Sequence, residues 1–335
     1  MKLHLSVLSA IVGVGALLFA SEAHAASVEL KVGSIMPTGS PWHTQLKAAA
    51  AKTSQLSGGS VELKVTVGPA MGDEDSLVKK LRIGQIQVAA LTTLGAYALA
   101  PEVMALDLPL LYADDAERDY VLAKEQATLE KALLDKGFIA LAWSDLGWVR
   151  FFSTTPRPTL DDMRPSKLVI WTGDPAVRSA WTKAGFKPVS VAPNDVVSSF
   201  STGLVDAVST TPSIALSLGL HTKAKSMTSQ PWSSLTGVVV VDKKSWEGVP
   251  ADLRPKLEAT FRDLGRQATA GARRTETDAI TAMKKVGLKV VPLTDQATWA
   301  RMVEDGRDEV RSKVVPAAVY DEVRQHVKDF RAGKR

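Results

Sequence analysis

The 335-residue sequence contains no cysteine. The chain therefore has no means of forming a disulfide, no thiolate ligand for zinc and no cysteine nucleophile. Histidine is also scarce, and the three histidines beyond the N-terminal segment, His43, His221 and His326, lie far apart in the sequence. Because their spacing matches no metal-binding motif, we predict neither a metal site nor a cofactor.

Motifs of the common enzyme classes are missing as well. Beyond residue 25 there is no Gly-x-Ser-x-Gly, no Walker loop, no His-Glu-x-x-His and no Gly-x-Gly-x-x-Gly after a predicted strand. An active site would have to rely on carboxylates, as glycosidases do. The sequence thus favours binding over catalysis, and a secreted carboxylate-dependent hydrolase remains an alternative.

Charge is spread along the chain without concentrated basic runs. The net charge is +5, from 41 basic and 36 acidic residues. Scattered basic residues lack the clustered arm or stripe that binds nucleic acid, so we expect no nucleic-acid partner. Mild basicity can attract an anionic ligand.

The N-terminal segment has the features of a secretory signal peptide. Lys2 and His4 precede an apolar run over residues 5–20, and the Ala-x-Ala pattern of residues 23–25 follows. The run is shorter than the ~20 residues that cross a bilayer comfortably, although an uncleaved anchor is the alternative. We predict a signal peptide over residues 1–25, a mature chain from Ala26 and a periplasmic location.

Strand and helix patterns alternate in the first part of the mature chain. Strands are predicted at residues 28–34, 60–67 and 88–92, and helices at residues 42–56 and 73–83. Asp73 is a good N-cap for the second of these helices. This alternation predicts a parallel α/β sheet.

A second α/β unit follows, with strands predicted at residues 138–143, 167–171 and 205–209. After a further strand at residues 235–242, apolar residues recur every three or four positions over residues 250–286. A helix of that length can extend across both units. The sequence therefore predicts two α/β domains between which the chain crosses more than once.

Six short phrases follow one another in a distinctive order. They are MPTGSPW at 36–42, SGGS at 57–60, GDED at 72–75, LRIGQ at 81–85, LDLPLLY at 106–112 and STGLVD at 201–206. In type and spacing they resemble the solute-binding subunits of tripartite ATP-independent periplasmic (TRAP) transporters, of the dicarboxylate-receptor type.

The resemblance implies a periplasmic-binding-protein type of α/β fold, with two domains around a cleft and a long helix spanning both. It assigns residues 26–149 and about 236–265 to domain I, and residues 150–235 and about 266–335 to domain II. It further implies a monomeric receptor that clamps a small molecule and docks onto the small and large membrane subunits of its transporter. The receptor of an ATP-driven importer is an alternative with similar architecture.

Loops that follow the predicted strands carry aromatic, hydroxyl and charged side chains, as small-molecule sites do. Ligands of parallel α/β sheets bind beyond the carboxyl ends of the strands. The candidate ligand-binding residues are Trp42, Thr92, Thr93, Asp145, Trp148, Arg150, Trp171, Asp174, Thr210, Thr211 and Trp232. Alternatives stay open for each type: core packing for tryptophan, capping for aspartate and a structural ion pair for arginine.

One position departs from the family that the chain resembles. The resemblance implies an arginine that forks onto a ligand carboxylate at the end of a strand, and Val169 stands there. Arg150 matches an earlier cleft-facing arginine of the family, and Thr210 or Thr211 offers a hydroxyl. We therefore expect either an organic acid held in a different way or a more apolar, ring-bearing ligand.

Overall fold

The computed structural model describes residues 28–171 and 173–334. The predicted signal peptide lies outside these residues. None of the helices in the described ranges has both the length and the apolar character needed to cross a lipid bilayer.

Within these ranges the chain forms ten strands. They are β1 (Val28–Ser34), β2 (Val61–Val67), β3 (Val88–Thr92), β4 (Phe138–Ser153), β5 (Lys167–Ile170), β6 (Lys187–Ser190), β7 (Ala207–Thr210), β8 (Ser226–Thr228), β9 (Ser233–Asp242) and β10 (Lys289–Val291).

Thirteen α-helices and four short 3₁₀ turns accompany the strands in the same ranges. The α-helices are α1 (Pro41–Leu56), α2 (Glu74–Arg82), α3 (Thr93–Tyr97), α4 (Asp115–Asp135), α5 (Leu160–Met163), α6 (Pro175–Lys183), α7 (Val196–Ser201), α8 (Pro212–Ser217), α9 (Lys243–Glu247), α10 (Arg254–Lys285), α11 (Gln296–Asp305), α12 (Arg307–Val310) and α13 (Ala317–Arg331). The 3₁₀ turns are Pro69–Met71, Pro101–Asp107, Pro193–Asp195 and Leu220–Thr222.

The strands join in the order β2-β1-β3-β9-β4-β7-β5-β6, with β8 beside β4 and β10 beside β8. The first α/β unit comprises the parallel strands β1, β2 and β3 together with β9, which runs antiparallel to β3. The second comprises the parallel strands β5, β6 and β7 with β8 and β10. Parallel α/β architecture in two units is thus confirmed.

Strand β4 belongs to both units. Its residues from Phe138 to Val149 pair with β9, and those from Arg150 to Ser153 pair with β7. The predicted end of this strand at residue 143 was wrong, because β9 and β7 continue the ladder beyond it, across a bulge between Asp145 and Gly147. A bulge adds a residue to one strand and bends it, so the strand can pass from one unit to the other.

The long predicted helix is confirmed as α10, which has 32 residues. Its early apolar side chains, among them Leu257 and Phe261, join the core of the first unit. Met283, near its end, joins the core of the second unit. Helix α10 therefore packs against both units.

Helix starts follow the local sequence. Asp73 accepts a hydrogen bond from the Ser76 amide at 2.7 Å, which confirms it as the N-cap of α2. Glu74 and Asp75 occupy the first turn of this helix, where the helix dipole favours negative charge. This cap fixes where α2 begins after β2.

Candidate functional site

A cavity of about 290 Å³ lies between the two α/β units. Residues at or just beyond the carboxyl ends of four parallel strands line it: Met36 after β1, Thr92 in β3, Trp171 after β5 and Thr210 in β7. This is where parallel α/β sheets bind ligands. The position identifies the cavity as the candidate ligand site.

One wall of the cavity is aromatic and consists of Trp171, Trp181 and Trp232. The indole Nε1 of Trp171 donates to the carbonyl oxygen of Ser209 at 2.9 Å, which fixes the orientation of the ring. The ring centroids of Trp181 and Trp232 lie 5.6 Å apart. Trp232 also packs against the fully buried ring of Trp299, at 5.5 Å between centroids, so the wall is supported from behind.

Hydroxyl and carboxyl groups occupy the side of the cavity formed by the first unit. The Thr92 hydroxyl donates to Glu74 Oε2 at 2.5 Å, and the Thr92 amide donates to the other oxygen at 2.6 Å. The Thr93 hydroxyl donates to Asp107 Oδ2. These bonds fix both threonines at the cavity surface.

Asp107 lines the cavity, so the residue as a whole is partly exposed, but protein atoms surround its carboxylate. That carboxylate also accepts from the Thr236 hydroxyl at 2.9 Å and the Thr236 amide at 3.2 Å. Burial raises the pKa of Asp107 to about 6, while the donors oppose the rise. Burial likewise raises the pKa of Glu74 against its Thr92 donors. Both carboxylates thus have protein partners already.

Two valines on strands are among the residues that line the cavity. Val149 and Val169 both line it and are both buried. Two arginines are among the described lining residues, Arg307 and Arg324, and both lie on C-terminal helices. Arg324 donates to Glu304 at 2.5 Å and Arg307 to Asp308 at 3.3 Å, so each cation already has an acidic partner.

The cavity also extends away from the strands, between α6 and the C-terminal helices. Small and apolar side chains line this part from both sides, including Val177, Ala180, Met302 and Val310. Glu309 of α12 holds the two sides together by accepting from Ser179 Oγ at 2.8 Å and from Lys183. The extension gives the site room for apolar bulk.

The structure brings five of the predicted residues to the cavity. They are Thr92, Thr93, Trp171, Thr210 and Trp232. Trp181 was missed by sequence reasoning because it lies within α6 rather than in a loop after a strand. Its helical spacing from Val177 and Ala184, which also line the cavity, was the available signal.

The other predicted residues lie elsewhere and have partners there. Trp42 is 3% exposed within the core of the first unit. The Trp148 indole Nε1 donates to Asp115 at 2.9 Å. Asp174 caps α6 by accepting from the Ala176 amide at 2.8 Å, and Thr211 caps α8.

Asp145 lies in a buried ionic network at the junction of β4, α4 and α10. It accepts from Arg118 Nη2, from Arg273 Nε at 2.9 Å and from the Gly147 amide at 2.6 Å. Burial raises the pKa of Asp145, and the two arginines oppose the rise. The Trp148 ring covers the Arg118 guanidinium at 4.8 Å. This network joins elements of the fold rather than lining the cavity.

Arg150 also contacts α10. Its Nη2 donates to Glu276 Oε1 at 2.9 Å, and its Nη1 donates to the Ser229 carbonyl oxygen at 2.9 Å. Both side chains of this ion pair are 13% exposed. The guanidinium therefore connects β4 to the long helix.

Comparison with known proteins gives a family match over most of the chain. The model of the family described as bacterial extracellular solute-binding protein, family 7, matches residues 32–313. A C4-dicarboxylate-binding periplasmic protein of Rhodobacter capsulatus is 23% identical over 316 residues, covering 92% of this chain and 94% of that protein. A 2,3-diketo-L-gulonate-binding periplasmic protein of Escherichia coli is 23% identical over 246 residues, covering 72% and 74%.

Solved structures share the fold. A TRAP periplasmic solute-binding protein of Xanthobacter autotrophicus with bound β-D-galacturonate superimposes with a TM-score of 0.83 at 16% identity, covering 89% of this chain and 99% of the other. One from Desulfovibrio salexigens with bound orotic acid gives 0.81 at 19% identity, covering 92% and 98%. The predicted fold class, two α/β domains around a cleft with a helix spanning both, is confirmed.

Proposed function

The chain belongs to family 7 of the bacterial extracellular solute-binding proteins, and we propose that it is the solute receptor of a TRAP-type secondary importer. The observation that carries this proposal is a cavity lined by both α/β units at the carboxyl ends of their strands. Relatives with this fold hold small organic acids, among them galacturonate and orotic acid. The receptor of an ATP-driven importer is not favoured by these relatives.

Ligand capture depends on the elements that connect the two units. In the described part of the chain, β4 belongs to both units and α10 packs against both. A ligand that contacts Thr92 on one side and Trp171 on the other makes its full set of contacts only when the units are close together. Because a ligand shifts a conformational equilibrium by its differential affinity for the two states, binding favours the closed form.

The ligand has a ring or another compact apolar body. Three tryptophans and two valines are among the side chains that line the cavity, and the extension beside α6 adds apolar room. An aromatic wall gives its best contacts to a flat ring. A carboxylate on such a ligand is held by neutral donors or by Arg307 and Arg324, since Val149 and Val169 offer no charge.

A thermal-shift screen tests both the receptor function and the ring-bearing ligand. The protein is first unfolded and then refolded, because this treatment removes any ligand carried from the host. The panel pairs aromatic and alicyclic acids with their uncharged alcohols, and adds succinate, malate, sugars and amino acids. A ligand at about 100 times its dissociation constant stabilises by about 2.7 kcal/mol. Stabilisation by ring compounds is expected. Stabilisation by succinate or malate alone would contradict a ring-bearing ligand but would still support receptor function. If no compound stabilises the protein, the result would contradict receptor function.

Catalysis is not part of the proposed role. The buried carboxylates of Asp107 and Glu74 are engaged by protein donors, and the relatives are binding proteins. A ligand recovered chemically unchanged after prolonged incubation supports this assignment. Turnover of any stabilising compound would favour the carboxylate-dependent hydrolase instead.

The proposal also covers the export of the protein, its membrane partners and the boundaries of its two domains. Residues 1–25 are removed as a signal peptide, and the mature periplasmic protein is a monomer that docks onto one small and one large membrane subunit. Domain I comprises residues 26–149 and about 236–265, and domain II comprises residues 150–235 and about 266–335. Intact mass of the periplasmic product tests the cleavage: a mature chain starting at Ala26 is expected, and a full-length chain would contradict it.

A further inference from the structure

A cluster of two glutamates and a histidine lies between α4 and α13. Glu125 comes from α4, while Glu322 and His326 lie one turn apart on α13. His326 Nε2 is 3.3 Å from Glu125 Oε1 and 3.9 Å from Glu322 Oε1. The three ligand atoms all lie within 4.8 Å of one another.

The Glu125 carboxylate is buried in this cluster without a hydrogen-bond donor. Its side chain is 0% exposed, and neither carboxylate oxygen has a hydrogen-bond partner. The surroundings are apolar, with Val121 and Leu129 on the same helix and Val323 opposite in the same core. Burying a carboxylate without donors is costly unless a proton or a cation accompanies it.

We propose that Glu125, Glu322 and His326 form a binding site for a divalent transition-metal ion, with Zn²⁺ as the best match. Zinc bonds to imidazole nitrogen and carboxylate oxygen at about 2.0–2.2 Å in tetrahedral geometry, which places neighbouring ligand atoms about 3.3–3.6 Å apart. The 3.3 Å separation of His326 and Glu125 fits that spacing. Glu322 is 50% exposed, so its side chain is free to move the short remaining distance.

The chemistry of the three metal-binding side chains favours some metals over others. Imidazole suits zinc and its neighbours, whereas calcium and magnesium prefer sites made of oxygen alone. A water molecule on the solvent side of Glu322 completes four ligands. The ion would bridge α4 to α13, the helix that also carries the cavity residues Tyr320 and Arg324, and its role there is structural.

A proton is the competing partner of Glu125. Burial, reinforced by the nearby charge of Glu322, raises the pKa of Glu125 to about 7. The metal experiment is therefore carried out at a pH of about 8, where protons compete less for carboxylate and imidazole.

The test uses the mature protein without a histidine tag, freed of metal with a chelator. Zinc titration by calorimetry and thermal shift is expected to show one ion per chain and a raised Tm, with no effect of Mg²⁺ or Ca²⁺. Glu125→Gln and His326→Ala each weaken zinc binding by more than about tenfold, since changes to groups that merely support a ligand already cost 10–100-fold.

The Glu117–Arg331 pair provides the matched control. It joins the same two helices, with Arg331 Nε donating to Glu117 Oε1 at 2.6 Å. Arg331→Ala should lower Tm without changing the zinc-dependent rise. The proposal is overturned if wild-type protein shows no zinc-dependent rise, or if the rise persists in both Glu125→Gln and His326→Ala; in either case Glu125 and His326 do not hold zinc.

Discussion

Val149 and Arg150 are neighbours on β4, and their side chains lie on opposite sides of the strand. Val149 lines the cavity, whereas Arg150 Nη2 lies 2.9 Å from Glu276 Oε1 on α10. Successive side chains of a strand alternate between its faces. The apolar residue therefore faces the ligand site, and the charge is used to join β4 to the long helix.

Replacing Arg150 tests this division of roles. Arg150→Ala leaves the partly buried Glu276 carboxylate without its cationic partner, so we expect the free energy of unfolding to fall by about 1–3 kcal/mol. Ligand affinity should change by less than tenfold. Urea denaturation and a binding titration measure the two effects. Arg311→Ala, which breaks an exposed pair with Asp321, is the control and should change stability little. A loss of affinity well beyond tenfold would place Arg150 against the ligand.

Substitution at Val169 tests the apolar character of the cavity. Val169 is 1% exposed and lines the site. Val169→Arg places a cation at a buried apolar position of a cavity whose Glu74 and Asp107 carboxylates already have protein donors, which should destabilise the ligand-free protein by several kcal/mol. Uncharged ring compounds should lose binding, while an added organic acid should recover part of the lost Tm. Val169→Leu is the volume control. Unchanged stability and affinity in Val169→Arg would contradict an apolar site.

Tryptophan fluorescence distinguishes the cavity wall from the core. Trp171 lines the cavity, whereas Trp42 is buried in the core of the first unit. Trp171→Phe should remove a measurable part of the ligand-induced change in emission and weaken binding by about 0.5–1.5 kcal/mol. Trp42→Phe should keep the full ligand-induced change. An identical response in the two variants would argue against contact between the ligand and Trp171.

Asp107 should make stability depend on pH in a defined direction. Its pKa of about 6 in the folded protein lies above its ordinary value of 3.8, so between these values the folded state binds more protons than the unfolded state. The free energy of unfolding therefore falls as pH rises from about 4 to about 6, and this contribution is constant above that range. Urea denaturation across the range should show a more negative slope for wild type than for Asp107→Asn. Parallel slopes would contradict the raised pKa.

Much of the fold follows from local patterns in the sequence. Alternating strands and helices predicted both parallel units, and the apolar spacing over residues 250–286 predicted α10. The rule that ligands bind beyond strand ends led to Thr92, Trp171 and Thr210, because each comes at or after the end of a buried parallel strand.

Local sequence patterns could not predict on which side of β4 the Arg150 side chain lies. The bulge between Asp145 and Gly147 shifts the alternation of β4, so the facing of later residues does not follow from the earlier ones. Asp145 was predicted as a ligand contact, and its partner Arg273 comes from a helix 128 positions later in the chain. Long-range pairing of this kind leaves no local pattern.

Calorimetric titration of refolded mature protein, with the most stabilising compound of the screen, tests the receptor assignment most directly when mass spectrometry of the recovered compound follows. We predict saturable binding of one molecule per chain and recovery of the compound with its mass unchanged; if the compound is uncharged, Val169→Arg should abolish this binding. Absence of saturable binding by every compound of the panel, or recovery of a chemically altered compound, would contradict it.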